Sequence, residues 1–357
     1  MVIKDKQIWQ VAAGDKDRNY VDLCLLWDVI VWGPGIFGPW PDCISEMKDE
    51  RRGQVPIGRR FCEEIKAGDL IVLRMGTSEI YGVGEVIDPV LWLDDFGDID
   101  GWDLQIVRRV RWLWNYSQNP KTFPTHTLKF GATVLKMDSL EVLDWLQKLK
   151  VNSQTYARDL ATLPESCIDR NRIPFLNNNE ISDYLFDQGI SADSIDSLLA
   201  QMGELVRIAN WYYRSEQDIS EHETVAYLVV PLLRALGWTP QKMAVEWGKV
   251  DIALFNRLPR KDNHLVVVVE AKKMGNSCLT AKSQAETYAE QEGREECRRL
   301  IVTDGLRYGV YIREKGKKFP DKPQAYLNLT RMVDSYPILQ CNGAKEALLL
   351  MAADWSG

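Results

Sequence analysis

The sequence predicts a two-domain chain of the α+β or α/β class. A small β-barrel is expected over residues 1–145, a helical connector over 146–214 and a mixed α/β core over 215–357. Three observations carry this. Nine of the 13 tryptophans fall before residue 150, among short apolar runs separated by Gly and Asp, and strands at such intervals with turn signals close into compact barrels. From about 140 to 215 apolar residues recur three and four apart, which is the mark of helix faces. Beyond 215 a stretch with helical spacing precedes two β-rich runs joined by a polar loop, the pattern of antiparallel neighbours.

In the first domain the expected strands are Ile8 to Val11, Val29 to Trp32, Leu70 to Leu73, Tyr81 to Val86 and Val107 to Leu113. Phe61 to Ile65 reads as a short helix before the turn Ala67-Gly68-Asp69. Trp9 and Trp112 sit inside apolar runs and are expected in the core. Trp32 and Trp40 bracket the loop Gly33 to Pro39 and are harder to place as core, so they are the candidates for a base pocket. The acidic segment WLDDFGDIDGWD, residues 92–103, lacks the spacing of a calcium loop and reads as solvated, facing away from any phosphate backbone.

In the connector Val142, Trp145, Leu146 and Leu149 mark one helix face, Pro164, Pro174 and Asn177 to Asn179 break the segment, and Ile195 to Val206 marks a longer helix. It is expected to pack on one or both domains, or to carry a dimer contact. Near the end, the Ala325 region reads as a closing strand and Ala344 to Ala353 as a terminal helix.

The chemistry-bearing stretch is residues 246–288. Val250 to Phe255 carries Asp251, and the unbroken apolar run Leu265 to Val269 delivers Glu270, Ala271 and Lys272. Alternation places Glu270 and Lys272 on one side of the strand. Two carboxylates and an ammonium at neighbouring strand ends suit a hard divalent cation, which takes carboxylate oxygens, waters and substrate phosphate. Such a cation lowers the pKa of a bound water and offsets charge developing on phosphorus, and a lysine can orient that water. An isolated E-x-K at a strand end is common and usually a solvated surface feature, so the flanks decide. Upstream, Ser220 and Glu223 form a capping box before the stripe Val225, Leu228, Val229, Leu232, Leu233 and Leu236. Glu221 lies four residues before Val225, on that stripe, where a carboxylate needs a partner. Pro231 should kink the helix and Gly237 should end it. Downstream, Gln284 and Tyr288 share one helix face.

S-E-x-x-T-x₆-P-L-L-x-x-L-G-W, V-D-I-A-L, V-V-E-A-K-K, Q-A-E-T-Y and L-I-V-T-D-G together resemble the PD-(D/E)XK nuclease domain of type I restriction enzyme R subunits, over roughly 215–315. The resemblance implies a restriction-endonuclease-like core with Glu221, Asp251, Glu270, Lys272 and Gln284 as the catalytic set. Asp251, Glu270 and Glu221 would be ligands to Mg²⁺, for which Mn²⁺ would substitute, and Tyr288 and Lys273 would contact nucleic acid. Val250 stands where that family's name has proline, and Asp304 where it usually has asparagine. No helicase motor follows, so the expectation is a nuclease in another setting.

R-R-F-C-E-E-I-K-A-G-D-L-I-V-L-R-M-G-T-S-E-I-Y-G-V-G-E-V, with R-R-V-R-W-L and the Trp32-Gly33 step, resembles the PUA superfamily, in its EVE, ASCH and YTH-like branches, over about 110 residues. That resemblance implies a small barrel holding an extruded base between aromatic rings.

Composition sets bounds. With 45% hydrophobic and 27% charged residues the chain is ordinary and globular. No run approaches a membrane span, and MVIKDKQIWQ has no apolar signal core. Seven cysteines without C-x-x-C pairs point to reduced thiols and a cytoplasmic protein, and three histidines leave little room for a zinc or H-N-H centre. A net charge of −7 confines any DNA contact to a local cleft. The resulting expectation is a Mg²⁺-dependent DNA endonuclease of restriction or phage-defence type, acting as a homodimer on double-stranded, modified DNA. An RNA-directed nuclease and a catalytically inactive nucleic-acid-binding regulator remain as alternatives.

Overall fold

The expected barrel strands all form, and their pairing shows what holds them. The computed structural model describes residues 6–15, 18–129, 131–150, 158–164, 175–215 and 217–355, which divide into two units, Met1–Arg172 and Ile173–Gly357. Beside a short hairpin of Gly14–Asp15 on Arg18–Asn19, the strands of the first unit's main sheet are β1 (Ile8–Ala12), β2 (Val29–Trp32), β3 (Leu70–Met75), β4 (Glu79–Val86), β5 (Leu91–Trp92), β6 (Ile106–Asn115), β7 (Lys121–Thr122) and β8 (Val134–Lys136). They make one curled, half-barrel sheet in the order β8-β1-β3-β4-β6-β2, with β5 on β6 and β7 on β4. Only β1 and β3 run parallel; the other pairs are antiparallel. Trp9 and Trp112 are buried as expected, and the Trp9 indole N–H donates to Asp69 Oδ2 at 2.9 Å.

Helix α1 (Val21–Trp27) precedes β2, and α2 (Ile44–Glu50) with α3 (Val55–Arg59) precede the π-helical turn Arg60–Glu64, the short helix expected near Phe61. After β8, α4 (Leu140–Lys148) lays Val142 and Leu146 onto Ile8, Leu70, Val72 and Val83. Residues 158–161 bind the same unit: Asp28 pairs with Arg158 and accepts the Ala161 N–H at 2.8 Å, and Arg109 donates to Ala161 O at 2.6 Å.

The acidic segment 92–103 is not a solvated loop. Phe96, Asp98 and Asp100 are buried, Ile99 and Trp102 exchange backbone hydrogen bonds, and Asp98 Oδ1 accepts the Gly101 N–H at 3.1 Å. The apolar Phe96 and Ile99 between the acids pull the segment inward, so Asp98 turns back on its own backbone and Asp94 and Asp103 accept from the neighbouring side chains of Trp92 and Gln105.

In the second unit α5 (Asn178–Asp187) and α6 (Ala192–Arg214) precede α7, which comprises Glu221–Thr224, the π-helical segment Val225–Val229 and Val230–Ala235. The sheet follows as β9 (Met243–Trp247), β10 (Val250–Phe255), β11 (Leu265–Ala271), β12 (Arg299–Thr303), β13 (Arg307–Ile312), β14 (Ala325–Asn328), β15 (Ser335–Tyr336) and β16 (Cys341–Asn342). Helix α8 (Lys282–Ala289) lies between β11 and β12, and α9 (Ala344–Met351) closes the unit. The order is β9-β10-β11-β12-β13-β14-β16-β15, with β11 parallel to β12 and β14 parallel to β16. Helices α5, α6, α7 and α9 cover one face of the sheet, and α8, with Ala281 just before it, covers the other through Ala281, Ala285 and Ala289. An all-Val centre in β11 follows from that double burial.

The expected connector is thus shared out: α4 packs in the first unit, and α5 and α6 in the core of the second. Asn177 starts a helix rather than only breaking one, because its side chain and Glu180 form a capping box. Pro231 is carried without a break, since the preceding π-turn shifts the bonding pattern by one residue. Gly237 ends the helix at φ +91°. No helix among the described residues is long and apolar enough to cross a membrane.

Candidate functional site

Strand register brings the two acids together. Ile252 pairs with Val269 in the antiparallel β10–β11 ladder, so the next rung sets Asp251 opposite Glu270 on one face. Asp251 Oδ2 accepts the Ala271 N–H at 2.8 Å. Glu270 is 2% exposed, and its Oε2 is buried with no hydrogen-bond partner. Burial first, then the charge of Asp251, pushes the Glu270 carboxyl up to about 8, while Lys272 pulls it down and Glu221 adds to the push. A buried carboxylate beside another carboxylate gains most from a proton or a cation.

Lys272 follows β11, with its backbone N–H bonded to Thr303 O at 2.7 Å. Its ammonium donates to Gln284 Oε1 at 3.1 Å, and Gln284 Nε2 donates to Tyr288 Oη at 3.2 Å. The shared face of α8 therefore aims the lysine. Arg294 steadies that helix end by donating to Tyr288 O at 2.8 Å and to Asp262 Oδ1 at 2.9 Å.

Glu221 differs from its expected place. It is exposed, because it is the first residue after the Ser220 cap and stands at the helix's open end, where free N–H groups favour a carboxylate. Lys273 is held in an ion pair with Asp218. Among the described residues no three His, Cys, Asp or Glu side chains are grouped closely enough to hold a metal ion. Asp251 and Glu270 offer oxygen donors only, and one of them is a buried acceptor without a partner. That donor set fits a hard cation whose remaining positions are filled by water and phosphate.

Two residues that the sequence showed only as motif positions, with no role assigned, act as positioning residues. Thr224, fully buried, donates to Ser220 O at 3.0 Å and accepts the Met274 N–H at 3.2 Å, tying α7 to the chain just past Lys272. Asp304, also fully buried, accepts from Gly275 N, Leu306 N, Arg307 N and Arg307 Nη1 at 2.6–3.1 Å. Gly305 has φ +87°, and a Cβ there would stand 2.8 Å from Leu228, so α7 approaches this turn through the missing side chain. The S-E-x-x-T spacing was the available signal for Thr224 and the T-D-G segment for Asp304, but neither disclosed the partners these side chains would bind.

In the first unit Trp32 ends β2 and is 2% exposed, stacked near Phe61 and edge-on to Trp40, each at 6.2 Å. A Cβ on Gly58 would meet both indoles within 2.7 Å, so α3 roofs them. A cavity of about 300 Å³ lies beside Trp32, also lined by Tyr20, Gln54 and Trp102, and Trp40 is outside it. The Arg18 guanidinium lies 3.4 Å over the Trp102 ring and is tethered by Asp15. Tyr20, Gln54 and Trp102 come together only through folding, and no local pattern announced them.

The fold and site define a mixed α/β protein of two units, one holding an aromatic cavity and the other an acid pair with a lysine at strand ends. A family model described as "Domain of unknown function (DUF8426)" matches residues 40–137, which lie within the first unit and exclude the acid pair. No curated protein and no solved structure matches the chain.

Proposed function

We propose that this protein is a Mg²⁺-dependent DNA endonuclease of restriction or phage-defence type, in which the second unit cuts and the first reads a modified or flipped base. The observation that carries the reading is Asp251 opposite Glu270, with Lys272 beside them held by Gln284. Glu270 lies at the carboxyl end of β11, next to a parallel neighbour, and ligands gather outside the carboxyl ends of parallel strands. Asp251 and Glu270 would hold the cation, with Glu221 near its outer side. The bound ion would supply charge neutralisation at phosphorus and a more acidic water. Lys272 would place its ammonium against the attacked phosphate or the incoming water, and Gln284 keeps that ammonium aimed.

The aromatic cavity supports the second half of the proposal. A flipped base loses stacking, which Trp32, Trp102 and Tyr20 would replace at about 1–3 kcal/mol per base. A reader joined to a cutter confines cleavage to marked DNA. One such centre cuts one strand, so a double-strand break calls for two copies, hence a homodimer, acting in the cytoplasm.

The test is incubation with Mg²⁺ and phage DNAs carrying different base modifications, beside single-stranded RNA and single-stranded DNA. Cleavage of a modified duplex by the wild type and none by Asp251→Ala is expected. If every nucleic acid stays intact, the nuclease reading is lost; if only RNA is cut, the substrate is RNA.

A further inference from the structure

A second cavity, of about 840 Å³, lies at the other end of the second unit's sheet. Phe255, Val266 and Ile312, at the far ends of β10, β11 and β13, line it. Four strand steps separate Asp251 from Phe255, roughly 13 Å. Its volume lies within the range of small-molecule sites.

Its charges are unevenly answered. Lys242, Arg298, Arg299 and Arg313 line the cavity. Among the described residues the one carboxylate that reaches any of them is Glu290, at 4.0 Å from Arg313. Arg299 is 4% exposed and lies against the rings of Trp238 and Trp355. Its Nη1 donates to Leu350 O at 2.7 Å and Ala352 O at 2.9 Å, and burial pulls its pKa down to about 10. Carbonyl dipoles at the end of α9 offset part of that charge. Arg313 likewise donates to a carbonyl, Cys297 O, at 2.8 Å. The half-buried Arg298 and the exposed Lys242 make no side-chain hydrogen bond or ion pair among the described residues.

The acids on the same wall are engaged elsewhere or stand at the rim. Glu296 pairs with Lys315 at 3.3 Å and Glu314 with Lys317 at 2.6 Å. Glu346 accepts the Tyr184 hydroxyl at 2.9 Å, and Asp354 is exposed. Four acids and four cations line this wall, and Arg298 and Lys242 are the two of those cations whose side-chain donors no protein group takes among the described residues.

We propose that this cavity binds a phosphate-bearing ligand, with Arg298 and Lys242 as its direct phosphate contacts and Arg299 and Arg313 as a fixed positive background. A guanidinium free of other partners is suited to bidentate capture of phosphate oxygens. The ligand's source is either a small phosphorylated molecule or the backbone of a nucleic acid. The site stands apart from the acid pair, and its existence does not depend on the nuclease reading.

The experiment is isothermal titration of the full chain, in EDTA, with inorganic pyrophosphate, AMP and a short single-stranded oligonucleotide. Three variants accompany the wild type: Arg298→Ala combined with Lys242→Ala, Arg298→Gln alone in case the double change unfolds the unit, and Asp251→Asn. Saturable binding weakened at least about tenfold by the Arg298 variants, and unchanged by Asp251→Asn, is expected. Binding of pyrophosphate and AMP identifies a small ligand; binding of the oligonucleotide alone, lost in the Arg298 variants, identifies nucleic-acid backbone. Either result sustains the site. Absence of binding by all three probes at millimolar concentration overturns it, as does equal binding by wild type and a folded Arg298 variant.

Discussion

Asp251 Oδ2 accepts the backbone N–H of Ala271 at 2.8 Å, so the acid of β10 is fastened to the peptide that follows Glu270. One hydrogen bond thereby sets the spacing of the two carboxylates and leaves Asp251 Oδ1 for another partner.

This separates two substitutions. Asp251→Asn keeps an oxygen for the Ala271 N–H, whereas Asp251→Ala leaves that donor unmatched. Both should lower cleavage at least about a thousandfold, and the alanine variant should lose about 1 kcal/mol more stability than the asparagine variant. Nicking assays and urea denaturation read the two effects independently. Wild-type cleavage by either variant refutes the role.

The raised pKa of Glu270 gives a pH signature. Between the ordinary carboxylate value near 4.5 and about 8, the folded chain keeps a proton that the unfolded chain has released. Stability without metal should therefore fall as pH rises through that window and level off above 8. Glu270→Gln should flatten the slope. Mg²⁺ must displace that proton, so its apparent affinity should weaken about tenfold per pH unit below 8. Urea midpoints at acid, neutral and mildly alkaline pH measure the first effect, and metal titration measures the second; a slope shared by wild type and Glu270→Gln would count against this environment.

Lys272 lowers the Glu270 pKa, so Lys272→Met should tighten the proton on Glu270 and cut cleavage about a hundredfold or more. Lys272→Arg should not restore activity, because a planar guanidinium does not fit the position of a compact ammonium. Gln284→Ala should give a milder loss, since the ammonium remains but is no longer aimed. Single-turnover rates at saturating Mg²⁺ rank the three, and a Gln284→Ala loss equal to that of Lys272→Met would overturn the division of roles.

Thr224→Val removes the acceptor of the Met274 N–H, a cost of about 1–3 kcal/mol. Asp304→Ala removes the acceptor of three backbone N–H groups and one guanidinium, a cost of about 3 kcal/mol or more. Denaturation midpoints decide. A neutral Asp304→Ala would show that the turn does not depend on its carboxylate.

Trp102→Ala should weaken discrimination for modified DNA by about 1–3 kcal/mol while leaving the intrinsic cleavage rate unchanged. Trp40→Ala should lower stability of the first unit without that loss, because its indole packs on Trp32 outside the cavity. Competition binding with modified and unmodified duplexes separates the two. The reverse ranking would relocate the pocket.

Much of this was legible from residue order. Five apolar runs of the first unit became β1, β2, β3, β4 and β6, because alternation and turn signals are local. The capping box at Ser220 and the Gln284–Tyr288 contact were readable for the same reason: partners three or four residues apart in a helix must meet. Trp32 lines the cavity and also packs on Phe61 and under Gly58, and a tryptophan beside a Gly/Pro loop carries no local sign of that cover. The acidic segment misled because charge counts ignore Phe96 and Ile99, which turn it inward.

Residue order alone determined five strands of the first unit, β10 and β11 of the second, the capped helix after Ser220 and the presence of an acid-acid-lysine set, since these depend on spacing within one element. Tertiary structure alone decided that Asp251 stands opposite Glu270, that Glu221 stays in water, that Asp304 pins the neighbouring turn and that Tyr20, Trp32 and Trp102 share a cavity. The reason is register and packing: which rung faces which, and which atoms lose water, are set by contacts between residues tens of positions apart, whose energies are summed only once the chain has closed on itself.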